Sequence, residues 1–208
     1  MRYEKIGLLF VLVFSFVVVA PSLALAEFSL NLGLGVAITQ EENVTIRANG
    51  FQESGDVDWD ESISGFTRFG YWPSTFPYLG LAVDASYFTP EESDAETDIF
   101  VMSALVMFRY PEGQFHPYVG AGPGLFYSKF DLNLSDVGLE DFSDESLDVG
   151  LDARAGLSID VKENIGIFME YRFTYFEPEY DDSISGVDVE IEPEFYTHHI
   201  LAGVVFYF

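Results

Sequence analysis

The sequence predicts an all-β fold: an eight-stranded antiparallel transmembrane up-and-down β-barrel, preceded by a cleaved signal peptide. Three observations carry that prediction. Residues 197–208, THHILAGVVFYF, place Ile200, Ala202, Val204, Phe206 and Phe208 on one face with a period of two. The opposite register (Thr197, His199, Leu201, Gly203, Val205, Tyr207) is mixed and holds the polar groups. Similar segments recur along the chain, several of them longer than the five or six residues of an average strand. The connections between them alternate strictly between short and long. So long an apolar face must be buried, and lipid is the expected burial.

Residues 1–26 stand apart from the fold. Arg2 and Lys5 give a positive start, residues 6–20 an apolar core, and Ala24-Leu25-Ala26 a small-residue cleavage site before Glu27. The apolar run is short for a membrane anchor and Pro21 interrupts it. Residues 1–26 therefore read as a signal peptide and 27–208 as one barrel domain.

The 208 residues carry 9 basic and 35 acidic side chains, a formal charge of −26. Removing the leader takes away Arg2, Lys5 and Glu4, leaving 182 residues with 7 basic and 34 acidic side chains, or −27. A chain this acidic repels phosphate backbones, so nucleic acid is excluded as a partner. After the leader, no segment approaches the roughly 20 unbroken apolar residues of a spanning helix. There is no cysteine and hence no disulfide framework.

The first strand, 28–39, alternates without a break. Phe28, Leu30, Leu32, Leu34, Val36 and Ile38 oppose Ser29, Asn31, Gly33, Gly35, Ala37 and Thr39. Its twelve residues match the ~9–11 that a tilted strand needs to cross a bilayer. Residues 40–61 are acidic, polar and contain glycine, which predicts a loop. Strands follow at 63–72 and 78–88, joined by the turn Pro73-Ser74-Thr75-Phe76-Pro77. An acidic loop over 90–97 precedes the fourth strand, 98–110, which ends at the tight Pro111-Glu112-Gly113 turn.

The fifth strand, 117–130, sets Gly120, Gly122 and Gly124 on one face, leaving room for large neighbours in a narrow barrel. Pro123 removes a ladder donor and predicts a bulge or irregular point there. After a third acidic loop, about 133–147, the sixth strand covers 148–161 and turns at Lys162-Glu163-Asn164. The seventh strand, 165–176, leads through a fourth acidic loop, 177–194, to the terminal strand.

Sidedness follows from this rhythm. The long stretches 41–61, 91–98, 136–148 and 177–194 hold 7, 5, 6 and 8 acidic residues, 26 of the 34, with Arg47 as their one basic residue. Short turns on one side and long loops on the other are the pattern of an outer-membrane barrel. Aromatic residues near strand ends (Phe28, Tyr71, Trp72, Tyr87, Tyr110, Tyr127, Tyr175, Tyr207, Phe208) predict an interfacial girdle.

With these residues in view, the chain resembles the eight-stranded outer-membrane β-barrel superfamily. That group contains the OmpA-type transmembrane domain, the OmpX-like proteins and the opacity-type porin-family proteins. The matching pieces are PYVGAGPG at 117–124, EYRFTYF at 170–176 and ILAGVVFYF at 200–208. The resemblance implies a Gram-negative-type outer-membrane location. It also implies that Ile200, Ala202, Val204, Phe206 and Phe208 form the signal read by the barrel-assembly machinery. The peptidoglycan-binding domain of OmpA has no counterpart here, so that function is not expected.

The polar register collects Arg68, Asp84, Arg109, Asp152, Arg154, Asp160, Glu170 and Arg172. Arginine facing mid-bilayer lipid costs ~2–4 kcal/mol, so these side chains should point into the lumen. An eight-stranded lumen is just wide enough for side chains to fill it. Buried ions demand partners, so Arg68, Asp84, Asp152, Arg154, Glu170 and Arg172 are expected to pair there. They would fix register as a packed polar core or, in a rival reading, act as a gate that breaks to pass ions.

His198 and His199 are adjacent on a strand and point to opposite faces, so they cannot share a site. Some eight-stranded barrels modify lipid A with a serine–histidine pair, but neither histidine has a serine two positions later. The acidic stretches match no EF-hand spacing, so neither a metal site nor a cofactor is expected. The sequence thus predicts a monomeric, non-enzymatic outer-membrane barrel with a structural or surface-interaction role through four acidic outer loops. Its expected partners are membrane lipid and lipopolysaccharide, with divalent cations as bridges. The rivals are a narrow gated pore, a lipid A-modifying enzyme, and a soluble lipocalin-like barrel with an apolar interior.

Overall fold

The computed structural model describes residues 26–208 except 49–50, 59–60, 93–94, 133–141, 179 and 185–186, with side chains described outside 41–60, 91–96, 131–142 and 179–193. The predicted leader, residues 1–26, falls outside the described residues except for Ala26.

Eight long strands form the wall: β1 (Ala26–Ala48), β3 (Ser62–Pro73), β4 (Leu79–Phe88), β6 (Ala95–Arg109), β7 (Phe115–Leu132), β8 (Phe142–Lys162), β9 (Ile165–Phe176) and β11 (Val187–Tyr207). Each pairs antiparallel with the next, and β11 returns to β1, so the sheet closes. The seam is a continuous ladder from Ser29↔Tyr207 to Thr39↔Thr197. Phe28 N–H donates to the Phe208 carbonyl (3.2 Å) and Phe208 N–H to the Phe28 carbonyl (2.9 Å), which fastens the final residue into the wall. Closure leaves no open edge among these eight strands, as a lipid environment requires.

Three shorter strands correct the expectation of four plain loops. β2 (Phe51–Asp58) folds back on the end of β1, β5 (Glu91–Glu92) pairs with the start of β6, and β10 (Tyr180–Ile184) pairs with the start of β11. The walls therefore continue beyond the apolar belt. The β1–β11 ladder reaches Ala48↔Val189, with one irregularity between Glu42 and Thr45. Backbone pairing propagates a ladder whatever the side-chain polarity. Beyond the membrane both faces meet water, and the apolar alternation that announces a strand disappears.

The two faces differ as a membrane barrel requires. Leu32, Leu34 and Val36 on β1, Val149 and Leu151 on β8, Ile167 and Met169 on β9, and Ile200 and Val204 on β11 all point outward and are exposed, Leu34 by 68% and Val149 by 75%. Their sequence neighbours point into the lumen. An interior ligand pocket of the lipocalin kind would need the reverse arrangement.

The inward face is not uniformly polar, which the sequence reading did not foresee. Towards the long-connection end, Ala37, Phe88, Ile99, Val101, Phe126, Phe176 and Phe195 form a buried apolar layer. Phe176 stacks on Phe126 (4.5 Å, 10°) and on Phe195 (5.1 Å, 12°). Towards the turn end, Trp72, Ala82, Leu105, Met107 and Tyr118 pack together, beside Phe66, Phe168, Leu201 and Val205. Trp72 and Tyr207 belong to this interior and not to the expected girdle: Trp72 is buried, and Tyr207 packs against the second of these clusters. Phe208, Tyr87 and Tyr110 do lie on the outer surface.

Pro123 is likewise resolved. It points outward and pairs with Leu151 without a break in the β7–β8 register. On the β6 side the ladder lapses between Ser103↔Gly124 and Val106↔Ala121 but resumes in the same register, so no bulge is inserted. The missing donor costs a local gap only.

Candidate functional site

Six charged side chains meet in the lumen between the two apolar regions. β3 supplies Arg68, β4 Asp84, β8 Asp152 and Arg154, and β9 Glu170 and Arg172, every one on the inward register and at most 4% exposed. Three guanidinium groups and three carboxylates cancel in charge.

Arg154 is the hub. Its Nη1 lies 2.9 Å from Asp84 Oδ2 and 3.3 Å from Glu170 Oε1, and its Nη2 lies 2.6 Å from Asp152 Oδ2. Arg172 Nη2 sits 2.8 Å from the same Asp152 oxygen, and its Nη1 donates to Ser86 Oγ at 2.6 Å. Arg68 Nη2 lies 2.7 Å from Glu170 Oε2. Ser103 and Tyr118 complete the set by donating to Asp152 and Glu170, each at 2.7 Å. The Arg68 guanidinium also sits 5.1 Å from the Phe66 ring centre and 5.6 Å from that of Tyr118, within cation–π range. Removed from water, these ions are stable only because each meets an opposite charge.

The other two charges of the polar register lie elsewhere. Arg109 is at the turn end, where it pairs with Glu27, donates to the Pro77 carbonyl (3.3 Å) and lies 4.1 Å from the Trp72 ring centre. Asp160 is near the same end and meets His116 Nε2 at 2.8 Å, while His116 Nδ1 lies 3.1 Å from the Tyr110 carbonyl. His116 thus ties two strands and a turn together.

His198 and His199 do separate to opposite faces. His198 is on the outer surface, 2.7 Å from the Tyr171 hydroxyl and against the Phe173 ring. His199 is buried in the lumen, and here sequence reasoning missed a contact: its Nδ1 lies 3.1 Å from Ser64 Oγ and its Nε2 3.4 Å from Thr174 Oγ1. A serine beside a histidine suggests a nucleophile, but the third partner is a hydroxyl and not a carboxylate. The Phe88 ring covers the imidazole edge-on at 4.8 Å, and Ser64 and His199 are both fully buried, so no substrate reaches the pair. No local motif could have disclosed it, since 135 residues separate the partners.

The terminal-strand residues Ile200, Ala202, Val204, Phe206 and Phe208 share the outward face of β11, with Phe208 71% exposed. Among the described residues, no group of three histidine, aspartate or glutamate side chains is arranged to hold a metal ion.

A closed antiparallel barrel with an aliphatic exterior and a neutralised ionic core is an integral membrane β-barrel protein. The chain belongs to the outer membrane protein beta-barrel domain family, whose model matches residues 7–208, and its location is the outer membrane. Among solved structures it is similar to OprG of Pseudomonas aeruginosa, with 16% identity over 88% of this chain and 96% of the other and a TM-score of 0.64. It is also similar to Neisserial surface protein A, NspA, with 18% identity over 86% of this chain and 96% of the other and a TM-score of 0.52. At such identities the likeness concerns the fold alone. No curated protein matches the chain.

Proposed function

We propose that this barrel is a closed, non-enzymatic element of the envelope that displays its acidic outer segments for structural or surface contact. The observation that supports this reading is a lumen filled at successive depths. The six-charge network and the Phe126–Phe176–Phe195 stack occupy it in sequence, leaving side chains where a conduit would have to run. The 26 acidic residues of the long connections then form the chemically distinctive surface. Divalent cations bridging them to anionic lipopolysaccharide are their natural partners, and the outward face of β11 is the segment offered to the barrel-assembly machinery. The protein acts as a monomer. Replacing the acidic residues of 177–194 by their amides should weaken Mg²⁺-dependent retention of lipopolysaccharide by the purified barrel. Unchanged retention would remove this role.

A narrow gated pore is the second reading, favoured by one feature of the network. Asp84 Oδ1 and Arg68 Nη1 are buried without a hydrogen-bond partner among the described residues, so the ionic cluster is not fully satisfied. Planar-bilayer recording separates the readings. The closed barrel gives no unitary conductance, whereas a pore conducts and changes its current on Arg154→Gln or Arg172→Gln. Lipid A mass spectra that stay unchanged on overexpression would remove the lipid-modifying alternative.

A further inference from the structure

On the lipid-facing side of β9 and β11, Tyr171 and His198 form a polar pair in an apolar neighbourhood. The Tyr171 hydroxyl is 2.7 Å from His198 Nδ1, and the two ring centres lie 6.0 Å apart. The Phe173 ring is 5.3 Å from the imidazole. Ile38 stands opposite His198 across the barrel seam, and Ile200 stands opposite Tyr171 on the next strand pair. Tyr171 is 43% exposed, and both residues share the outward register that meets acyl chains.

The pair carries more donors than it uses. A neutral imidazole has one N–H and a phenol one O–H. The bond between them uses one of these, whichever group donates. If the tyrosine donates to Nδ1, the Nε2 proton is left over; if Nδ1–H donates, the tyrosine proton is left over. A second proton on the ring only adds to the surplus. Neither residue makes another hydrogen bond among the described residues. The tyrosines one level higher differ, since Tyr196 donates to Glu194 (3.0 Å) and Tyr175 to Glu177.

Depth identifies the missing acceptor. His198 is four residues below Glu194 on β11, about 14 Å along a strand that tilts in the membrane. The pair therefore lies beneath the Tyr175–Tyr196 level, at the long-connection end, which is the outer side of an outer-membrane barrel. A donor facing hydrocarbon without an acceptor is costly. The acceptors that a bilayer offers at this depth are the carbonyl oxygens at the head of its acyl chains. We propose that Tyr171 and His198 form a binding site for an acyl carbonyl oxygen of outer-leaflet lipid, in the native membrane an ester or amide of lipopolysaccharide. Phe173 and Ile200 flank the chain that hangs from it. This contact is separate from the acidic segments and does not depend on them.

The test compares two bilayers. The full barrel is refolded in vesicles of a diester phosphatidylcholine and of its diether analogue, which keeps the head group and chains but has no carbonyl. Urea unfolding is followed by heat-dependent electrophoretic mobility. One net hydrogen bond is worth about fivefold in an equilibrium constant. The unfolding constant of the wild type should therefore rise about fivefold more, on passing from diester to diether, than that of the double variant Tyr171→Phe/His198→Phe, which has no donor. Tyr171→Phe and His198→Phe alone each leave one unused donor, so each should keep the wild-type response. Lipid A mixed into the diether vesicles should recover the stability of the wild type and leave the double variant unchanged. An equal response of wild type and double variant, a response lost in either single variant, or no recovery with lipid A would overturn the proposal.

Discussion

Arg154 and Arg172 are directly opposite one another across the β8–β9 ladder. Like charges in that position repel. Here Asp152 Oδ2 stands between them, 2.6 Å from one guanidinium and 2.8 Å from the other, and converts a repulsive pair into the centre of the core. Asp152→Asn keeps the shape and removes the charge. It should destabilise the barrel by about 3–5 kcal/mol, the usual cost of leaving buried charge unpaired. Adding Arg172→Met should restore part of the loss, a coupling of about 0.5–3 kcal/mol between neighbours. Urea unfolding in lipid vesicles, followed by heat-dependent mobility, measures both.

The phenylalanine layer makes a separate prediction. Phe176 is stacked on both sides, by Phe126 and Phe195, so Phe176→Ala should cost about 3–5 kcal/mol in the same assay. The charged network beneath remains intact in that variant. Bilayer conductance should therefore stay absent, and a variant that conducts would show that the aromatic layer alone closes the lumen.

Two glycines should respond very differently. Gly122 faces the lumen where β6 passes close by, and a Cβ there would collide with the Ala104 carbonyl oxygen, which is backbone and cannot swing away. Gly122→Val should block β6–β7 pairing and leave a product whose mobility no longer depends on heating. Gly113, in the short turn, has φ of +84° but open space around it. Gly113→Ala should fold normally and lose only about 1–2 kcal/mol, the cost of a left-handed backbone for a residue with a Cβ.

Sequence made the walls legible because lipid outside and a packed lumen inside impose opposite chemistry on successive residues. Arg68, Arg154 and Arg172 were assignable to the interior for the same reason, since lipid rejects them. Phe126 and Phe176 were not assignable to a plug: an inward phenylalanine looks the same in the sequence as an outward one. Trp72 was misplaced in the girdle on that account. Residues 40–61 read as a loop because their acidic pattern lacks apolar alternation, although the ladder carries 40–48 and 51–58 upward as strands. The Ser64–His199 contact depends on barrel curvature bringing unpaired strands together, which no local pattern encodes.

Depth in the membrane should be measurable from outside. Val83 adjoins Asp84 and faces lipid, whereas Val161 faces outward beside the turn at 163–164. Val83→Arg should cost about 2–4 kcal/mol and Val161→Arg no more than about 1 kcal/mol, as expected for midplane and interface positions. Unfolding titrations in vesicles of one lipid compare them directly.

The orientation of the aliphatic stripes supports every other conclusion, and the absence of native cysteine makes it easy to probe. Single cysteines at Val83, Val149, Ile167, Met169 and Ile200, spin-labelled in lipid vesicles, should collide with dissolved oxygen far more often than with a water-soluble nickel chelate. Labels at these five positions that favour the nickel chelate would place the stripes in water and contradict the barrel's assignment to the membrane.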